Sequence, residues 1–161
     1  MTRHSILTIA LIGALAAVFA VSAQSPEAAA AKPHTYAQKL VDAELARHAD
    51  IVILVFHVVN QDASDYPIIA SNIGRYGKKA DEDDLRVIHT GTPNLEVNAT
   101  GSHFEVEMAL HDASKKVLGA IAVVYNYKST DDKEALHKKA EGVRAEVEKQ
   151  ISSLAKLMGP A

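Results

Sequence analysis

The chain has 161 residues, 48% of them hydrophobic and 23% charged, with 17 basic and 20 acidic residues and a net charge of −3. That is ordinary globular composition, with room for one domain and for a core that needs no staples. The acidic balance argues against nucleic acid as a partner, because phosphate binding needs a basic surface, and with no cysteine stability rests on packing rather than on disulfides.

Ile6 to Ala23 is apolar and uncharged, follows Arg3 and His4, and ends in Val21-Ser22-Ala23. A short basic start, an apolar run and a small-x-small end mark residues 1–23 as a signal peptide cut before Gln24. An uncleaved anchor is the competing reading, since about 18 apolar residues just span a bilayer. The expected mature protein is periplasmic or secreted, and after cleavage it carries no further apolar run long enough for a membrane. Residues 24–34, rich in Ala and Pro, read as a linker, and the domain is expected over 35–158.

Thr35 can cap a helix running to Ala49, with Ala37, Leu40, Val41, Glu44, Leu45 and His48 on one side. Ile51 to Val59 is almost wholly β-branched or aromatic, the composition of a strand covered on both faces. Asn60 to Asp65 turns the chain. Tyr66 to Ser71 is a short second strand, which Pro67 places at an edge or at a strand start. Asn72 to Lys79 is a glycine-bearing loop. Asp81 to His89 is a short helix with Asp81 as cap, an acidic first turn, Leu85 and Ile88 facing inward, and Gly91 as its stop. Leu95 to Ala99 is a third strand. His103 to His111 alternates strictly, with Phe104, Val106, Met108 and Leu110 on one face and His103, Glu105, Glu107 and Ala109 on the other. Val117 to Tyr127 is a fifth strand, again apolar on both faces. Leu136, Ala140, Val143, Val147, Ile151, Leu154 and Met158 form one stripe of a long helix from about Asp132 to Met158.

The two continuously apolar strands, first and fifth, belong at the centre, and the alternating or short ones nearer the edges. A five-stranded antiparallel sheet in the order 2-1-5-4-3 meets both demands. The fold class is therefore α+β, PAS-like, with an N-terminal helix, a short helix between strands and a long C-terminal helix.

Three features carry a closer resemblance. A helix leads straight into the apolar first strand. A loop and short helix, Asn72 to Thr90, separate strands two and three. The pair HFEVEMALHD and KKVLGAIAVVY forms a closing hairpin with Asp112 before the turn and Gly119 after it. On these features the region from Thr35 to Lys128 resembles a single Cache domain, the extracytoplasmic relative of PAS. The resemblance implies a sensory module with a small-molecule ligand held against the sheet under the segment that joins strands two and three. Mapped onto this sequence, that segment supplies Asn72, Arg75, Tyr76, Lys78 and His89, and the strands add Tyr66, His103, Glu105 and Tyr125. Arg75 can clamp a carboxylate with its planar fork, and the tyrosines can offer an apolar wall with a polar tip.

Other chemistry is less well supported. The histidines show no H-E-x-x-H or similar ligand spacing, His103 and His111 lie about 27 Å apart along one regular strand, and His57 reads as a hydrogen-bonded core residue. No metal or cofactor is expected. Glu105 and Glu107, about 7 Å apart, with a histidine, would serve a small exported enzyme, although solvated residues of an alternating strand are the plainer reading. Asp81 to Asp84 lacks the alternation of a calcium loop. Asn98-Ala99-Thr100 is a glycosylation sequon. Finally, the long C-terminal stripe is expected to run past the body of the domain and to pair with a second copy as a homodimer, which Leu154→Asp would shift toward monomer.

Overall fold

The computed structural model describes residues 31–60 and 62–161. The expected signal peptide, most of the expected linker and Gln61 lie outside the described residues.

Thr35 caps α1 (Tyr36–Arg47), its hydroxyl accepting from the Gln38 backbone N–H at 3.2 Å. The chain continues through β1 (Ile51–Val58) and β2 (Ile68–Ser71) to α2 (Glu82–Thr90). β3 (Asn94–Val97), β4 (His103–His111) and β5 (Val117–Asn126) follow, and α3 (Lys133–Glu148) and α4 (Leu154–Met158) close the domain. The five strands form one sheet in the order β2-β1-β5-β4-β3, every pair antiparallel. The two continuously apolar strands are thus adjacent and interior, as their composition demands. Pro67 stands just before the edge strand β2, where its missing N–H leaves no ladder bond unmade.

The period of two in each strand sorts the side chains onto two layers. On one face Leu54, Phe56 and Val58 of β1, Phe104, Val106, Met108 and Leu110 of β4, and Ile121, Val123 and Tyr125 of β5 form the main core. Ala37, Leu40 and Val41 of α1 and Ala140, Val143 and Val147 of α3 complete it. The opposite face carries α2, whose Val87 and Ile88 pack on Ala109 and Ala120. Within α2 the inward residues are Asp84, Val87 and Ile88, with Leu85 only half-buried.

The C-terminal helix does not run to Met158. α3 ends at Glu148, and residues 149–153 are irregular before α4. Three contacts explain the break. The Ile151 carbonyl accepts from the Ala113 backbone N–H at 2.8 Å, tying the chain to the β4–β5 hairpin. Ile151 itself is fully buried. Ser153 caps α4 by accepting from the Lys156 N–H, the local bonding with which serine competes against helix continuation. α4 then returns to α1, where the Tyr36 N–H donates to the Gly159 carbonyl at 2.8 Å and Thr35 bridges Pro160. Leu154 packs against the core and Leu157 is buried. The stripe therefore closes the domain on itself, and the overhang on which helix pairing was expected is absent; Leu154→Asp would act on the fold. Ile151→Ala is expected to lower unfolding free energy by about 3 kcal/mol, the ordinary cost of emptying a buried aliphatic site. Urea denaturation measures it.

Candidate functional site

The antiparallel registers lay out the second face of the sheet in rows. Ile53, Val124, Glu105 and Glu96 lie side by side across β1, β5, β4 and β3. The next row is Val55, Ala122 and Glu107, and the one after it His57, Ala120 and Ala109. α2 covers the third row. Over the first two the cover is incomplete, and a groove remains beneath residues 73–84. Its larger part, about 200 Å³, is lined by Ile53, Val55, His57, Ile68, Ala122 and Val124, with Ile73, Arg75, Lys78, Asp81, Asp84 and Glu105 around the polar side. A second part, about 170 Å³, shares Ile53, Glu105 and Val124 and is closed by Glu96, Asn98 and His103. Ala122 on β5 is the one small side chain among the apolar residues of the floor.

The segment above the groove is built of tight backbone. Gly74, Arg75 and Gly77 have φ of 73°, 62° and 84°, and Arg75 is the costly member, since a residue with a Cβ rarely sits in the left-handed region. The segment is pinned by backbone bonds between Ile68 and Lys78, Gly77 and Ile68, and Ala80 and Tyr66. Lys78 is 3.5 Å from Asp81, whereas Arg75 has no ion-pair partner among the described residues.

At the inner end of the groove lies a buried polar cluster. Asp81 and Asp84 form a reciprocal capping box at the start of α2. Asp84 is 7% exposed, and Glu107 of β4, beneath the box, is 4% exposed. Burial, then the hydrogen bond to Asp84 and the surrounding carboxylates, push Glu107 up to about 10, so its carboxyl is protonated and donates. Burial would raise Asp84 too, but the bond from Glu107, the Asp81 backbone N–H and His57 together hold it below the usual carboxylate range. The two shifts run in opposite directions, as they do in a carboxyl pair that shares one proton drawn toward Glu107. His57, also buried, sets its Nδ1 2.9 Å from the Tyr66 carbonyl and its Nε2 3.7 Å from Asp84 Oδ2. Glu105 is half-buried and raised by burial and by Glu96, Asp84 and Asp81. The face is not the solvated side of an alternating strand, because α2 and residues 72–81 cover it.

Of the residues mapped from the resemblance, Arg75, Lys78, Glu105 and His103 line the groove. The others do not. Asn72 extends the edge of β2, donating to the Val52 carbonyl and accepting from the Leu54 N–H. The Tyr76 hydroxyl bonds the Ser71 carbonyl and Gln38, and its ring packs behind Val55 and Ile68. Tyr66 packs under α2 beside the exposed His89, edge to face. Tyr125 is on the opposite layer, in the main core, because its odd position on β5 points it away from Val124 and Ala122. His57, expected as a hydrogen-bonded core residue and buried against the Tyr66 carbonyl as such, also lines the groove, as does Asp84, which was not expected there. The signal was available in the phase of β1, where His57 shares its face with Val55 and Ile53, and in the helical position of Asp84, three residues after its cap.

No protein-family model and no curated protein matches this sequence. Solved structures do. The GAF domain of nlh2 from A. aeolicus, described in an inactive state, superposes with a TM-score of 0.52 at 13% identity, over 70% of this chain and 82% of that one. The chain shares the PAS-like fold of this GAF domain, a five-stranded antiparallel sheet with helices. The GAF domain of the Acinetobacter phosphoenolpyruvate-protein phosphotransferase gives a TM-score of 0.51 at 16% identity, over 73% and 80% of the two chains. The Agobacterium tumefaciens repressor BlcR gives 0.51 at 11% identity, over 72% and 67%. At such identities the likeness is one of fold alone.

Proposed function

We propose that this chain is an exported sensory module of the Cache type that binds a small carboxylate in the groove under residues 73–84. The observation that supports it best is Arg75. A guanidinium without an ion-pair partner among the described residues stands at the mouth of a preformed groove, on a backbone held at positive φ, and backbone strain of this kind collects where a ligand is gripped. The fork of Arg75 takes the carboxylate. Ile53, Val55, Ala122 and Val124 take the apolar body, and Glu105 and Asp84 accept from donor groups at the far end. The combination of an apolar wall with few convergent polar groups is that of a ligand site, and the dimensions suit a metabolite rather than a polymer. A repressor among the proteins of like fold fits a regulatory role.

Thermal denaturation against a set of small carboxylates tests the proposal. A true ligand at a hundred times its Kd stabilises by about 2.7 kcal/mol, which reads as several degrees. Arg75→Ala is expected to weaken that ligand by about tenfold to a hundredfold, in line with loss of a charge-assisted pair. Arg75→Lys should rescue only part of it, because a point charge lacks the fork. If no carboxylate stabilises the protein, or Arg75→Ala binds as well as wild type, the carboxylate reading is wrong.

A further inference from the structure

A second polar site lies on the other side of the sheet, where α1 meets α3. Glu44 lies in the last turn of α1 and His48, four residues on, is its C-cap, so both side chains stand at the same end of the helix. Glu146 reaches them from α3. His48 Nε2 is 3.5 Å from Glu44 Oε2 and 3.2 Å from Glu146 Oε2. One ligand atom from each of the three residues falls within 4.8 Å of the others.

Two buried polar atoms here lack a hydrogen-bond partner among the described residues: Glu44 Oε2, on a side chain that is 0% exposed, and the Tyr125 hydroxyl. Glu44 Oε1, by contrast, is held by Arg47 and by Gln150 Nε2 at 3.4 Å. Tyr125, His48 and Glu146 line one depression of about 340 Å³, together with Asp50, Lys139, Gly142 and Val143. Gly142 lies inside α3, where glycine weakens a helix, and a Cβ there would meet nothing within 4 Å. The space above the cluster is open.

An imidazole nitrogen and two carboxylate oxygens are a donor set for zinc and its neighbours. With bonds of about 2.1 Å, a tetrahedral ion holds adjacent ligand atoms about 3.4 Å apart. The two separations from His48 Nε2, 3.2 and 3.5 Å, match that edge. Arg47 and Gln150 bond the far oxygen of Glu44 and orient its carboxylate, as outer partners do around bound metals, while the Arg47 Nε stands 3.8 Å from Glu146 Oε2, a contact that the ion would displace.

We propose that Glu44, His48 and Glu146 bind a divalent transition-metal ion of the zinc class, with its open position toward the depression lined by Tyr125. The ion joins the end of α1 to α3 and gives the inward oxygen of Glu44 its missing partner.

The test uses the full-length protein, stripped with a chelator, with Zn²⁺ alone followed by calorimetry and Co²⁺ alone followed by visible absorption. One ion per chain is expected, with a rise in Tm and a cobalt ligand-field band. Glu44→Gln, His48→Ala and Glu146→Gln should each weaken Zn²⁺ binding at least tenfold, and His48→Ala should remove the cobalt band. Glu146 is 44% exposed, so its variant keeps the fold even if replacing the buried Glu44 does not. Absence of stoichiometric binding overturns the proposal. So does binding that is unchanged in His48→Ala and Glu146→Gln, which would place the ion on other histidines of the surface.

Discussion

Replacing Glu107 by glutamine is expected to make the protein more stable than wild type at pH 8 and to flatten its pH dependence. Unfolded, a glutamate titrates near its ordinary value of about 4.3; folded, Glu107 titrates at about 10. Between those values the folded chain holds one more proton than the unfolded chain. Stability is therefore greatest at the acid end of this window and falls as pH rises, by up to about 1.4 kcal/mol per pH unit. Asp84 shifts the other way, so its contribution is present above its unfolded value and is lost only as pH falls toward its folded one. Glu44 and Glu105 are raised as well and slope with Glu107, but they are common to wild type and variant. From pH 6 to pH 8 the wild type should lose about 3 kcal/mol more than Glu107→Gln, since the amide is neutral throughout and can donate to Asp84 as the carboxylic acid does. Urea denaturation at the two pH values measures the difference. Parallel losses would mean that Glu107 is ionised in the folded protein and that the proton of the pair is elsewhere.

Gly119→Ala should be among the most damaging single substitutions. A Cβ at this position would lie 1.9 Å from the His57 carbonyl oxygen and 2.8 Å from Val58 Cα. Both are backbone atoms of β1, so no side chain can turn aside, and the two interior strands must separate. A cost of about 3 kcal/mol or more is expected, at the upper end of overpacking. The strain enters at His57, so the groove should be disturbed along with the sheet. A denaturation midpoint equal to that of wild type would show that β1 and β5 can part here without loss.

The sheet was readable because its evidence is local. Runs such as IVILVFHVV and VLGAIAVVY have no polar face to leave in water, and that alone places them inside; the order of all five strands follows. Thr35, Asp81 and Gly91 likewise announce helix ends through their own side chains or backbone. The C-terminal helix misled because its apolar stripe continues in phase through Ile151 to Met158. What breaks it is a tertiary bond, Ile151 carbonyl to Ala113 N–H, together with a serine cap that periodicity does not register. The groove was half legible. Arg75, Lys78, Glu105 and His103 came from knowing which segment covers the sheet. Tyr125 was misplaced because a strand apolar on both faces gives no phase, and only pairing with β4 and β1 decides which side each residue faces. The protonated Glu107 could not be read from a strand that alternates as a solvated one would. Its environment is made by Asp84, more than twenty positions away and brought over it by α2.

The most direct test of the ligand site is methyl NMR of the protein with the carboxylate that stabilises it best. Binding in the groove should shift the methyl signals of Ile53, Val55, Ile68, Ile73 and Val124 and leave those of Val143 and Val147 in the opposite core unmoved. In Arg75→Ala the same shifts should need about tenfold to a hundredfold more ligand. Perturbations confined to the opposite layer, or spread evenly over both, would contradict a ligand site under residues 73–84.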